Sequence, residues 1–282
     1  MIEIKDLTKK YGDFTAVENL NLTIETGEFF GLLGPNGAGK TTTISMLSTV
    51  LLPTSGEILI DGAKLDRKAS TSKRKISVIT QEYSMRQDMT MDEVMEYQGR
   101  LYYMKKKEIR EKSDELLEFA GLIEYRHRVV RHLSGGMKRK LMVCRALMTE
   151  PEILLLDEPT AGMDAISRRQ MWQLLRQLHS RNITILLTTH YIDEAQSLCD
   201  RVALIDKGRL DIIDTPQNLI DTLGAFAVDE IVDDLLKSRY FPNREEAIAH
   251  LSNASQDASL RATTLEDVFV ERIGKRLGPQ GK

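Results

Sequence analysis

Two cysteines, one tryptophan and seven prolines are all this 282-residue chain has of those types. Cys144 and Cys199 lie far apart and lack metal-ligand spacing, which excludes a disulfide framework and a zinc site and suits a reducing compartment. No apolar run approaches the roughly 18 residues of a membrane helix. The first ten residues carry Glu3, Lys5, Asp6, Lys9 and Lys10, which is no signal peptide. A cytoplasmic chain is expected, free to dock on a membrane protein. An excess of positive charge is also missing: the formal net charge is −3. A nucleic-acid coat held by bulk charge is therefore excluded, and no nucleic-acid partner is expected. Internal repeats and long low-complexity tracts are absent. What remains, 41% hydrophobic and 29% charged residues, is ordinary globular composition, sized for one large domain and an appendage.

Ile2 and Ile4, then Leu20, Leu22 and Ile24, alternate with polar residues as half-buried strands do. Phe29 to Leu33 is nearly continuous in apolar residues and reads as a fully buried strand, as do Ile76–Ile79, Ile153–Leu156, Ile183–Leu187 and Val202–Ile205. Helical stretches are expected at about Lys40–Leu51, from Thr90 to about Met104, from about Glu108 to Gly121, after Ser134, at Ile166–His179 and at Ile192–Leu198. Thr90 with Glu93 has capping-box spacing. Glu57 to Ile60 reads as a short strand turned by Asp61-Gly62. The pattern predicts an α/β fold: a mainly parallel sheet flanked by helices, an N-terminal antiparallel β subdomain, and a helical insertion at about 83–148. From about Leu223 the texture changes. Asp and Glu number 11 against 8 Lys and Arg from Asp221 on, and Ser252–Ser259 is small and polar. A domain of residues 1–222 with a C-terminal accessory extension, 223–282, is expected.

The strongest chemical signal is Gly34-Pro35-Asn36-Gly37-Ala38-Gly39-Lys40-Thr41, followed by Thr42. A G-x-x-x-x-G-K-[ST] loop between a buried strand and a helix cradles phosphates with backbone N–H groups and a helix start. Lys40 then reaches the β- and γ-phosphates, and the Thr41 hydroxyl holds Mg²⁺. A second signal is Asp157-Glu158 directly after a buried strand. Asp157 is the expected Mg²⁺ carboxylate and Glu158 the group that polarises water. Their strand has the character to lie beside the phosphate-loop strand. His127, His132, His179 and His250 have no partner pattern and read as surface residues. The run Lys105-Lys106-Lys107-Arg110 reads as a solvated helix face.

Leu133-Ser134-Gly135-Gly136-Met137 decides the family. With it the chain resembles the nucleotide-binding subunits of ATP-binding cassette (ABC) transporters, P-loop ATPases with an LSGG signature, over about residues 1–220. Other markers follow in order. Gln81 matches the Q-loop glutamine, Ala161-Gly162-Met163-Asp164 the D-loop, His190 the switch histidine and Tyr11 the aromatic that stacks on adenine. Met137, Met163 and Ala165 stand where the family usually has Gln, Leu and Pro. Thr189–Ala195 and Thr264–Phe269 resemble the drug-, antibiotic- and lipid-exporter branch, although the tail looks short for that branch.

The resemblance implies ATP and Mg²⁺ as cofactors, Glu158, His190 and Gln81 as catalytic groups, and Gln81 as a further metal ligand. It also implies a head-to-tail homodimer, or a heterodimer with a related cassette. There Ser134, Gly135, Gly136 and Asp164 meet the partner's nucleotide. Integral membrane permease subunits, encoded separately, are the implied partners. A soluble mechanical ATPase acting on ribosomes or DNA is the alternative, but such proteins carry a second cassette, a coiled-coil insertion or a basic arm. A small-molecule kinase leaves Leu133–Met137 unexplained.

Overall fold

The structure, a computed structural model, describes residues 1–232, 235–254 and 257–274. Part of the polar stretch Ser252–Ser259, and the last eight residues of the expected extension, lie outside that range.

Strands β1 (Ile2–Tyr11) and β2 (Phe14–Ile24) form a hairpin, and β3 (Phe29–Leu33) runs into the phosphate loop. Helix α1 (Lys40–Leu47) follows, shorter than expected because Thr49 turns to φ 60°. Next come β4 (Ser55–Ile60), β5 (Ala63–Lys64), α2 (Ser70–Arg74) and β6 (Ile76–Ile79). The insertion is helical as expected, with α3 (Met91–Leu101), α4 (Lys106–Phe119) and α5 (Gly135–Leu147). The Thr90 capping box is present, with Glu93 N donating to Thr90 Oγ1 at 3.2 Å and Thr90 N to Glu93 Oε2 at 2.7 Å. Then β7 (Ile153–Asp157), α6 (Ala165–His179), β8 (Thr184–Thr189), α7 (Ile192–Leu198) and β9 (Arg201–Asp206) alternate. Strand β10 (Arg209–Asp214), which lacks a clear sequence signal, pairs antiparallel with β9 and precedes α8 (Pro216–Asp221).

Two sheets carry this part. A four-stranded antiparallel sheet has the order β2-β1-β4-β5, and a six-stranded, mainly parallel sheet has the order β10-β9-β3-β8-β7-β6. Period-2 side-chain alternation sorts each buried strand between two cores. Phe29, Leu33, Leu154 and Leu156 face the helical insertion, α6 and α7; Phe30, Leu32, Ile153 and Leu155 face α1 and the antiparallel sheet. One expectation fails. Strand β7 does not lie beside β3, because β8 pairs in parallel with both. Patterning identifies a buried strand but not its neighbours. The inserted strand separates the phosphate loop from the carboxylates by two strand spacings, about 10 Å.

His179 is half-buried and partnered, not a free surface residue. Its Nε2 lies 2.9 Å from Gly27 O and 3.2 Å from Asp200, and its ring meets Phe29 edge-on.

The tail holds a three-stranded sheet of order β12-β11-β13, from β11 (Phe226–Val232), β12 (Leu235–Phe241) and β13 (Ser259–Ala262), with α9 (Arg244–Leu251) between the last two. Arg261 forks onto Asp229 and Asp267, at 2.7 Å to each, and holds the Asp229 carboxyl below its ordinary range. Helix α10 (Leu265–Phe269) then returns to the main body. Leu265 and Val268 are fully buried in the cluster of Ala195, Leu198, Leu219 and Ile220, with Phe269 against its margin. Leu265 N donates to Gln196 Oε1 at 2.9 Å. Truncating a fully buried leucine costs about 2–5 kcal/mol. Leu265→Ala should therefore lower the urea midpoint of the full chain, and an unchanged midpoint would mean that α10 is not docked.

Candidate functional site

The phosphate loop folds as it does because glycine alone fits two of its positions. A Cβ on Gly34 would stand 2.2 Å from Ile205 O, and one on Gly39 2.5 Å from Ala16 O at a φ of +101°. The loop wraps the Lys40 head: Nζ donates to Gly34 O at 2.8 Å and Pro35 O at 3.1 Å. Lys40 is only 5% exposed. Burial pulls its ammonium below the ordinary lysine value, and Glu158, 3.6 Å away, opposes that shift.

Opposite the loop, β7 ends in the carboxylates. Asp157 is 4% exposed, and its Oδ1 accepts from Thr188 Oγ1 at 2.6 Å and Thr41 Oγ1 at 3.2 Å. Thr188 thus fills the gap that β8 opens, and α1 brings Thr41 across it. Glu158 takes a left-handed φ of 48°, pinned by its N–H to Thr188 O at 3.0 Å. That turn leaves its Oε2 3.0 Å from His190 Nδ1 and its Oε1 facing Lys40.

These groups border a cleft of about 570 Å³. Of the expected site residues, Tyr11, Asn36, Gly37, Gly39, Lys40, Thr41, Thr42, Gln81, Glu158 and His190 line it. Asp157 lies beneath, reached through Thr41. Gly34, Pro35 and Ala38 form the back of the loop. Ser134, Gly135, Gly136 and Asp164 do not line the cleft, although neighbours Ala161 and Gly162 do. Ser134 instead caps α5, accepting from Met137 N at 3.2 Å. Asp164 caps α6 by accepting from Ile166 N and Ser167 N and from the Ser167 hydroxyl at 2.7 Å. The Ser167 bonds hold the Asp164 carboxyl below its usual value. This cap fixes the loop where Ala165 stands at the first helical position in place of proline. Signature and D-loop do adjoin: a Cβ on Gly136 would lie 3.6 Å from Met163 Cε and 3.0 Å from Ser167 Oγ at the start of α6.

Four residues were missed. Phe14, paired across the hairpin with Tyr11, lines the cleft and is 64% exposed; an aromatic three residues on was a readable signal. Tyr191 also lines it, its ring 4.1 Å from that of His190 and beneath Arg168. Thr188 carried no signal, since its role depends on strand order. Arg139, between Lys138 and Lys140, carried no signal in the sequence, yet it is 2% exposed.

A family model described as "ABC transporter" matches residues 17–161. A Nod factor export ATP-binding protein from Cupriavidus metallidurans is 36% identical over 98% of both chains. The chain belongs to the ABC transporter family. This ABC ATP-binding subunit is also 36% identical to the linearmycin resistance ATP-binding protein of Bacillus subtilis, over 82% of its own length and 74% of the relative's. Among solved structures it resembles an ATP-binding cassette in a dimeric, post-hydrolysis state with ADP and Pi bound, at TM-score 0.69 and 30% identity over 76% of this chain and 98% of that one. Such subunits are ATPases that dimerise and work with separate membrane permeases. No helix among the described residues is long and apolar enough to cross a membrane. Against the Nod factor relative the tail is not short, since the alignment covers 98% of that protein's length.

A hydrogen bond to a buried charge contributes about 1.5–3 kcal/mol. Thr188→Val should lower unfolding stability by that amount, and Thr188→Ser should restore most of it. Equal stability of all three chains would show that the hydroxyl does not hold Asp157.

Proposed function

We propose that this subunit hydrolyses MgATP in a head-to-tail dimer, on the cytoplasmic face of the membrane, to power export through a separately encoded permease. One observation carries the reading: Lys40, Thr41, Glu158 and His190 share one cleft, while Ser134, Gly135 and Gly136 open a helix away from it. One chain therefore offers the base, phosphate and carboxylate side of a site, and a second chain supplies the signature.

In that reading Tyr11 stacks on the adenine. The N–H groups of the loop from Gly34 to Thr42 hold the phosphates, and Lys40 turns from its two carbonyls to the β/γ oxygens. The donors for Mg²⁺ fit. Thr41 Oγ1 and the Asp157 carboxylate are hard oxygens 3.2 Å apart, and magnesium needs few protein ligands beside phosphates. Gln81 lines the same cleft and completes the set. When bound, the cation neutralises charge on the β- and γ-phosphates. Glu158 takes a proton from the attacking water, with His190 fixing its carboxylate at 3.0 Å. Asp164 and the signature serve the partner's nucleotide. Residues 1–222 are taken as the cassette and 223–282 as an accessory extension. Export rests on the relatives' names, Nod factor export and linearmycin resistance. The same names favour a transporter over a mechanical ATPase. The transported substrate is left to the permease.

Glu158→Gln keeps every phosphate contact and removes the base, so turnover should fall by orders of magnitude while ATP binding survives. With ATP and Mg²⁺ that variant should run as a dimer in gel filtration with light scattering. Adding Ser134→Arg should return it to a monomer that still binds a fluorescent ATP analogue. A folded Ser134→Arg monomer unable to bind nucleotide would place the signature in its own chain's site.

A further inference from the structure

Arg139 is the largest fully buried side chain among the described residues, and two of its guanidinium nitrogens donate to backbone. Nη1 donates to Thr80 O at 2.8 Å and Nη2 to Gln81 O at 2.9 Å. Arg139 is on α5, five residues after Ser134. One helical turn and a half further along, Arg145 donates to Ser84 O at 2.6 Å and to Ser84 Oγ at 2.8 Å. A return contact runs the other way: Tyr83 OH donates to Gly135 O at 3.3 Å, and its ring stands 5.3 Å from the Arg139 guanidinium. The segment after β6 is thus stitched to the signature helix at four of its five residues from Thr80 to Ser84. Its Gln81 lines the nucleotide cleft of the same chain.

A planar guanidinium bonded through two nitrogens to two successive carbonyls fixes the orientation of the peptide between them more rigidly than the single rotating nitrogen of an ammonium. Backbone held this way moves with the helix that holds it. On the reading of the site as completed by a second chain, the two ends of this unit face different nucleotides: Gln81 faces the chain's own, and Ser134–Gly136 face the partner's. We propose that Arg139, clasped by Tyr83, is a positioning residue that locks Gln81 to the signature, so that nucleotide met by Gln81 in one site sets the signature for the other. Arg139 touches neither nucleotide; it acts through the Gln81 backbone.

The test is a double-mutant cycle on the full chain, reading ATPase rate against ATP concentration. Arg139→Met should lower kcat about tenfold to a hundredfold, the scale of a lost positioning contact, and bring the Hill coefficient to about 1 with little change in nucleotide affinity. Arg139→Lys, one donor head in place of a fork, should fall between. Tyr83→Phe removes only the hydroxyl of a 40% exposed ring and should lower cooperativity with no change in melting temperature. In a Gln81→Ala background each of these losses should largely vanish. Equal losses with and without Gln81, or losses that track melting temperature across the set, would overturn the proposal. If Arg139→Met fails to fold, Arg139→Lys and Tyr83→Phe complete the cycle. A wild-type chain whose hydrolysis does not depend on Glu158 would instead refute the reading of the site.

Discussion

Asp157 and Glu158 sit where a fully buried parallel strand ends, and keeping two negative charges there constrains everything around them. Removing a carboxylate from water costs several kcal/mol unless donors or opposite charge replace the hydration. Two hydroxyls, Thr188 and Thr41, supply donors to Asp157, while Lys40 and His190 flank Glu158. The lysine is itself nearly dry, so each buried charge makes the other tolerable. The same electrostatics prepares the site for a polyanion beside a cation: the charges are already in place, and little reorganisation remains for the bound state.

Strand β8 is central to this arrangement. It holds the carboxylates two strands from the phosphate loop, contributes Thr188 to the gap and ends at His190. Its far end feeds α7, where Glu194 is fully buried and accepts from Thr160 Oγ1 at 2.9 Å and from Trp172 Nε1 at 3.0 Å. Burial pushes the Glu194 carboxyl up. The contact ties the loop after Glu158 to the helix after His190, so Glu158 and His190 are held from both sides. The signature helix belongs to the other half of the molecule, joined to the cleft by Arg139 and Tyr83.

Much of the layout of the site was legible because it is local. Eight consecutive residues between a strand and a helix determine the phosphate loop, and Asp157-Glu158 or Leu133–Met137 need only their neighbours for meaning. What was not legible depends on contacts distant in sequence. Strand order placed β8, not β7, beside β3, and with it the role of Thr188. Nothing in the pattern around Lys138-Arg139-Lys140 shows that the middle residue meets carbonyls some 60 positions earlier. The half-exposed β10 and the charge-bearing tail strands lack the apolar runs that revealed the core strands. Helix α1 ends early at a left-handed Thr49, a conformation that no local signal marks for threonine.

The central claim is that a working site needs two chains. The most direct measurement mixes two variants expected to be inactive, Lys40→Ala, altered in the phosphate loop, and Ser134→Arg, altered in the signature. In the mixed dimer one site carries both lesions. The other pairs an intact phosphate loop with an intact signature. The account predicts ATPase activity in the mixture well above that of either variant alone, rising with the fraction of mixed dimer. A mixture as inactive as its components, with mixed dimers shown to form, would contradict it.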